Sequence, residues 1–513
     1  MPRMTNSQIG APDLWRRLDA LLLAALVVAR LRIDTLAEGA YLPLRQQDVA
    51  RQPWLSQLLS PQAMKLLAQQ QLVDPIGLLL IVAALGCLLA YLLVHEFVRG
   101  ERLRYWVRLA LIWAIIGLTV FAPAVKLVLL RQGSGPASYS HDGGVIQTEA
   151  TIEFLLHGRN PYVEDYTATP MAEWGINEFR TALYHFPYLP WTFLFSAPFK
   201  LLADRAIGWY DQRFVYLLLF ALTLLLLPGL AHARTNKLLL VMLIGLNPIM
   251  GSDLIYGQND SFVLAWLVLS LWLWRRGQDL HAARDATAGE NAMRAAVFRA
   301  EYDARRIWTW GSAAAFGLAC ASKPTAWFLA PFLLLLLAGG DTVGDSTPRP
   351  SGRRPPRLAQ RWGGWLRRAA WAGWPAVAVA GLVIGPYLLW NPTAMYDDVW
   401  QWANGASATA YQIWGWGASN LVLALGWIGS RFAYWPFWIP QLLIAAPLAG
   451  WLLWRQTREN TLGRALWSYA LLLFAFLFFS RFLNENYLGY LLAVLMLASC
   501  PDGRHAPPAP TQS

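Results

Sequence analysis

Residues 76–94 read IGLLLIVAALGCLLAYLLV, nineteen positions with neither a charge nor a proline. A run of that length closes its backbone hydrogen bonds within one helix and reaches across a bilayer core. The pattern recurs at 214–228, FVYLLLFALTLLLLP, which is also free of charge. Working outward, comparable runs fall at 106–130, 213–232, 237–250, 260–274, 369–390, 434–454, 465–480 and 487–499. Weaker ones fall at 18–32, 187–203, 309–321 and 325–338. The sequence therefore predicts an all-α, polytopic transmembrane helical bundle of about ten to thirteen spans.

Composition agrees. Of 513 residues, 56% are apolar and only 14% charged, against about 25% charged in a soluble domain. This excludes a secreted disulfide scaffold, a disordered protein and a soluble enzyme with one anchor. Cys87, Cys320 and Cys500 have no metal-ligand spacing and read as small buried hydrophobes.

The formal net charge is +11, which in a soluble chain would invite a nucleic-acid reading. Here the cations sit in short connections, as cytoplasmic loops of membrane proteins do. Seven arginines and no acid lie between Arg349 and Arg368, partly in the Pro/Gly-rich STPRPSGRRPPR (346–357). No folded basic face interleaved with aromatics is evident, so no nucleic-acid partner is expected. Stretches 97–108, 275–306, 349–368 and 455–464 are placed in the cytoplasm, and 131–185, 391–433 and 481–486 outside. The connection 232–237 (HARTNK) breaks this parity, and Pro187, Pro190 and Pro198 mark 187–203 as re-entrant or broken. Arg16 and Arg17 before 20–29 suit an uncleaved anchor or interfacial helix.

Polar islands interrupt the hydrocarbon. The first external loop carries His141, Asp142, Gly143 and Gly144, then an amphipathic, juxtamembrane helical stretch 145–157, then Gly158–Tyr162, with Tyr184–Pro190 leading back to the membrane. Gln258, Asn259 and Asp260 separate two short spans, Lys323 splits an apolar run, and Arg481 with Asn484–Tyr487 divides the last two. Polar groups at membrane depth are costly and mark function by default. The plainer alternatives are a solvated loop acid for Asp142 and a snorkelling lysine for Lys323. Lys323 is nonetheless expected at the outer side or at mid-depth, the side of Asp142, against the positive-inside trend. Loop 391–433 holds Asp397, Asp398, Trp400, Trp402, Tyr411, Trp414 and Trp416. These are either an interfacial belt or a surface on which sugar rings stack.

On these residues the chain resembles the GT-C superfamily of integral-membrane glycosyltransferases, nearest to the polyprenyl-phosphate-mannose-dependent mannosyltransferases of glycosyltransferase family 87 (the DUF2029 group). The likeness covers about 106–499. It rests on Asp142, G-R-N-P-Y (158–162), Y-x-F-P-x-x-P (184–190), G-Q-N-D (257–260) and K-P-T (323–325). It implies three parts: an extension at 1–105 with one or two membrane helices, a catalytic membrane domain at 106–499, and a disordered tail at 500–513.

The resemblance also implies a multi-pass plasma-membrane protein with an extracytoplasmic active site. It would move a hexose, mannose first, from a polyprenyl-phosphate donor to a glycan or lipid hydroxyl, inverting the anomeric centre. Asp142 is the implied general base, with His141 beside it, and Lys323 and Arg481 the implied donor-phosphate clamp. Gln258, Asn259, Asp260, Tyr162, Tyr184, Trp414 and Trp416 are candidates for sugar and acceptor contacts. No cofactor is expected and no dedicated metal cluster is read from spacing, although a divalent ion between Asp142 and donor phosphate stays open. The alternative function is a transporter or flippase of lipid-linked sugars, which would pair intramembrane acids across repeats.

Overall fold

The computed structural model describes residues 11–41, 46–71, 74–140, 143–173, 177–285, 294–339 and 358–499. Helix dominates, as uninterrupted apolar runs require. Among the described residues the strands are Trp414–Gly415 (β1) and Phe482–Leu483 (β2), paired in parallel. The helices start where the chain supplies caps. Asp74 accepts from the Ile76 N–H ahead of Pro75–Phe97, Asn247 caps Pro248–Tyr256, and Thr461 caps Leu462–Phe478. Each cap satisfies amide donors that a helix start otherwise leaves open.

Four helices are long and apolar enough to cross a membrane: Pro75–Val94, Glu101–Ser134, Arg213–Leu230 and Arg367–Trp390. The pair Arg234–Gly245 and Pro248–Tyr256, bent by 48°, makes a fifth if taken as one span. Pro324–Ala338, Leu462–Phe478 and Glu485–Ala498 are apolar but shorter. Among the described residues this falls below the ten to thirteen spans expected from composition. Asn247-Pro248 breaks one apolar run with a capped restart, and Ser322-Lys323-Pro324 breaks another.

Two further expectations change. Segment 187–203 resolves into an extended lead-in followed by one helix, Trp191–Ala206, with Pro198 inside it. The lead-in finds partners in the facing turn: the Leu189 and Trp191 N–H groups donate to the Ser322 and Ala321 carbonyls at 3.2 and 3.1 Å. The stretch expected to lie amphipathic at the membrane surface forms the helix Gly143–Leu156, buried at ten of its fourteen positions. It is part of the packed interior.

The first helix, Ala11–Tyr41, joins the same core: Leu23 and Val27 pack with Ile112 and Met250. Arg30, wholly buried, donates to the carbonyls of Pro248 (2.8 Å) and Thr119 (3.1 Å) and to Ser252 Oγ (3.2 Å), and pairs with Asp34. Gly251 permits this approach, since a Cβ there would lie 2.3 Å from Arg30 Nη1. Asp19 with Arg108 (2.7 Å) and Asp74 with Lys126 add two more buried pairs. Buried charges persist only when paired in this way. The terminal residues 1–10 and the tail 500–513 lie outside the described residues, as does 340–357 with the first part of the expected basic loop 349–368; the rest of that loop falls in the helix Leu358–Trp390.

Candidate functional site

The polar islands converge. A cavity of about 1090 Å³ is lined by residues from well-separated stretches of chain. Gly143, Gly144 and Gln147 come from the start of the Gly143–Leu156 helix, and Gln258 and Asn259 from the turn before Asp260–Asp285. Lys323, Pro324 and Thr325 come from the break in the next apolar run. Trp400, Trp402, Trp414, Trp416 and Arg431 come from the loop 391–433, and Arg481, Asn484, Asn486 and Tyr487 from the turn between the last two helices. The helices Ala330–Ala338 and Leu462–Phe478, with the short turn before the first, add an apolar wall of Phe328, Pro331, Leu472 and Phe476. Typical small-molecule sites span roughly 300–1,000 Å³, so this one suits a large, two-character ligand.

Lys323 is held from behind. Its Nζ donates to Asp260 Oδ1 at 2.7 Å and to Asn259 Oδ1 at 3.3 Å, and stands 4.7 Å from the Tyr487 ring centroid. Asp260 is fully buried, also takes a hydrogen bond from Asn486 Nδ2, and does not line the cavity. Its place is therefore that of a charge partner to Lys323, not of a sugar contact.

Arg481 lines the cavity but is committed elsewhere. Nε, Nη1 and Nη2 donate to the carbonyls of Tyr411, Ala433 and Arg431 at 2.5, 2.9 and 3.0 Å. Burial pushes its guanidinium down to about 10, so it stays charged at neutral pH. A guanidinium has five N–H groups, and three bonds to the loop 391–433 make Arg481 first a loop anchor. Gly405, with φ +81, lies against it, and a Cβ there would come within 2.2 Å of Nη1.

The remaining candidates divide. Trp414 and Trp416 line the cavity, with Arg431 5.7 Å from the Trp414 ring centroid. Tyr162 does not: it is buried in a separate aromatic cluster with Phe186, Phe193 and Tyr387, its hydroxyl donating to the Tyr188 carbonyl at 2.8 Å. Tyr184 is half exposed and away from the cavity wall. Aromatic residues beside a re-entry pattern are equally good packing residues, and here packing won. His141 and Asp142 lie outside the described residues, while Gly143 and Gly144, next in the chain, form part of the wall.

Among the described residues, four buried polar atoms on the cavity lining have no hydrogen-bond partner: Gln258 Oε1, Thr325 Oγ1, Trp402 Nε1 and Asn484 Oδ1. Buried polar groups are nearly always paired. Unpaired polar atoms on a cavity wall are open to the polar groups of a ligand.

A second constellation escaped the sequence reading. His185, from the Pro-rich lead-in, meets Asp397 and Asp398, from a short helical turn 212 positions away. His185 Nδ1 is 2.8 Å from Asp398 Oδ1 and 3.6 Å from Asp397 Oδ2. The other imidazole nitrogen is 2.6 Å from Thr409 Oγ1. Asp398 Oδ2 accepts from the Phe186 N–H at 2.9 Å, and Asp397 Oδ2 from Ser407 Oγ at 3.2 Å. Burial pushes the Asp398 carboxyl up to about 6, against the lowering pull of His185 and the Phe186 N–H. The available signal was two polar loops, both expected on the same side, each carrying unexplained chemistry. Spacing along the chain could not pair them.

No protein-family model matches the chain, and neither a curated protein nor a solved structure matches it.

Proposed function

We propose that this protein is an integral-membrane glycosyltransferase of the plasma membrane. It moves a hexose, mannose first, from a polyprenyl-phosphate donor to a hydroxyl acceptor at the extracytoplasmic face, with inversion. The observation that carries this reading is the single cavity in which a buried lysine, unpaired amide and hydroxyl atoms, tryptophans and an apolar wall meet. That mixture matches each part of a lipid-phosphate sugar. The isoprenoid needs hydrocarbon, the phosphate needs fixed positive charge, and a sugar ring needs hydrogen-bonding groups beside aromatic faces.

In the proposed reaction Asp142 takes the acceptor hydroxyl proton. The acceptor oxygen attacks the anomeric carbon, and the bond to the phosphate oxygen breaks on the opposite face. Polyprenyl phosphate leaves with the electron pair, its charge met by Lys323. Such a leaving group asks for charge stabilisation rather than a strong acid. Asp260 keeps Lys323 in place, and Arg481 shapes the external wall rather than acting as the main clamp.

The test is transfer of label from polyprenyl-phosphate-mannose in membrane fractions. Transfer by the wild type that disappears in Asp142→Asn supports the reading. Full activity in Asp142→Asn removes the base assignment. Movement of labelled lipid across the membrane without any product replaces the enzyme by a transporter of lipid-linked sugars.

A further inference from the structure

We propose that His185, Asp397 and Asp398 bind a divalent transition-metal ion, zinc or manganese in kind, that fastens the Pro-rich lead-in to the external wall of the cavity. The proposal does not depend on the reaction assigned above.

Three observations carry it. First, the donor atoms are gathered: Nδ1 lies 2.8 and 3.6 Å from the two carboxylate oxygens, and all three atoms fall within 4.8 Å of one another. Ligands held about 2.0–2.2 Å from a four- to six-coordinate ion are roughly 3.0–3.5 Å apart, so only small side-chain adjustments are needed. Second, each buried ligand is locked by its far side. Thr409 Oγ1 holds the imidazole through Nε2, and the Phe186 N–H holds Asp398 through Oδ2. Such outer contacts fix ring orientation in metal sites and leave the facing lone pairs directed inward. Third, the charges do not balance. Among the described residues, neither carboxylate is paired with a lysine or arginine, and the two share one imidazole. A bound dication supplies the missing positive charge.

The donor chemistry narrows the ion. An imidazole nitrogen with two carboxylate oxygens suits zinc, manganese or iron, whereas calcium and magnesium prefer oxygen alone. Asp398 and His185 are buried, but the Asp397 side chain is 35% exposed. That opening admits an ion and leaves room for water as a further ligand. Val399, Trp400 and Trp402 line the cavity immediately after the two aspartates, and Pro187 and Tyr188 follow His185. The ion would therefore join two stretches of cavity wall.

The experiment uses the full-length, tag-free protein in detergent, stripped with EDTA and titrated with ZnCl2 or MnCl2. Binding is followed by calorimetry for zinc and by loss of the free-ion EPR signal for manganese. One equivalent per chain is expected, with a higher thermal midpoint in the loaded protein. Asp397→Asn is the chosen variant because, among the described residues, the hydrogen bond and ion contact of its side chain are to Ser407 and His185, and it is partly exposed. It should weaken binding by about tenfold or more while keeping the unloaded midpoint of the wild type. Asp204→Asn, at an exposed acid paired with Lys200, is the control and should bind like the wild type. No binding of either ion overturns the proposal. So does binding unchanged in both Asp397→Asn and His185→Ala, or calcium or magnesium binding as tight as zinc and manganese.

Discussion

The pair of Lys323 and Asp260 gives the sharpest handle on the site. Nζ and Oδ1 are 2.7 Å apart, with Lys323 7% exposed and Asp260 not at all. At that separation and an effective dielectric near 20 the attraction is about 6 kcal/mol. Desolvating both ions offsets most of it, so the pair as a whole contributes little net stability. Removing one member is different, because the other stays buried without its counter-charge. Lys323→Met and Asp260→Asn should each cost about 3–5 kcal/mol, two to nearly four powers of ten in the folded ratio. The double variant removes both charges and should lie within about 2 kcal/mol of the wild type. The assay is titration into SDS from mixed micelles, followed by tryptophan fluorescence, with label transfer measured on the same preparations. The double variant should regain stability and, under the proposed mechanism, still lack transfer, because the cation proposed to meet the phosphate is gone. A Lys323→Met protein as stable as the wild type, or a double variant no better than the singles, would refute the reasoning. Recovered transfer in the double variant would remove Lys323 from the chemistry.

Three other outcomes are expected. Gly405→Ala puts a methyl group 2.2 Å from Arg481 Nη1 at φ +81 and should destabilise the protein by about 1–3 kcal/mol, read by thermal midpoint in detergent. Asp211 is buried, yet Arg213 and Arg131 hold its carboxyl well below the usual carboxylate range. Its stabilisation is therefore present above the unfolded value near 4 and fades as pH falls below it; Asp211→Asn should flatten the midpoint-against-pH curve there, while an unchanged curve would remove the network from acid stability. Trp416, 69% exposed, should tolerate alanine within about 0.5 kcal/mol of stability; if it stacks on sugar, Trp416→Ala raises KM with little change in kcat, and unchanged kinetics would return it to an interfacial role.

The helical class was legible because long uncharged runs have one low-energy answer in hydrocarbon. Their number was not, because a capped restart such as Asn247-Pro248 costs the composition nothing while dividing a run in two. Lys323 stood out by its position against the charge trend, and Gln258, Asn259, Trp414 and Trp416 by interrupting or flanking apolar runs. All of these do line one cavity. Asp260 was legible as polar but not as the partner of Lys323, since pairing is a property of two helices meeting. Arg481 shows the same limit. Its three partners are backbone carbonyls, and carbonyls carry no sequence signature. His185 with Asp397 and Asp398 was invisible for the plainest reason, a separation of more than two hundred residues.

The small β1–β2 bridge has a kinetic consequence. Trp416 and Ala418 donate to the Leu483 and Phe478 carbonyls at 2.8 and 2.7 Å, and Arg481 adds its three bonds to the same loop. At about 0.5–1.5 kcal/mol each, five such bonds make outward lifting of the loop a state populated roughly once in a hundred to once in several hundred thousand molecules. A long-tailed ligand that waited for that event would exchange slowly. For the proposed polyprenyl-phosphate ligand, a tail that slides between helices avoids that step, which would tie the exchange rate to lipid fluidity rather than to loop opening.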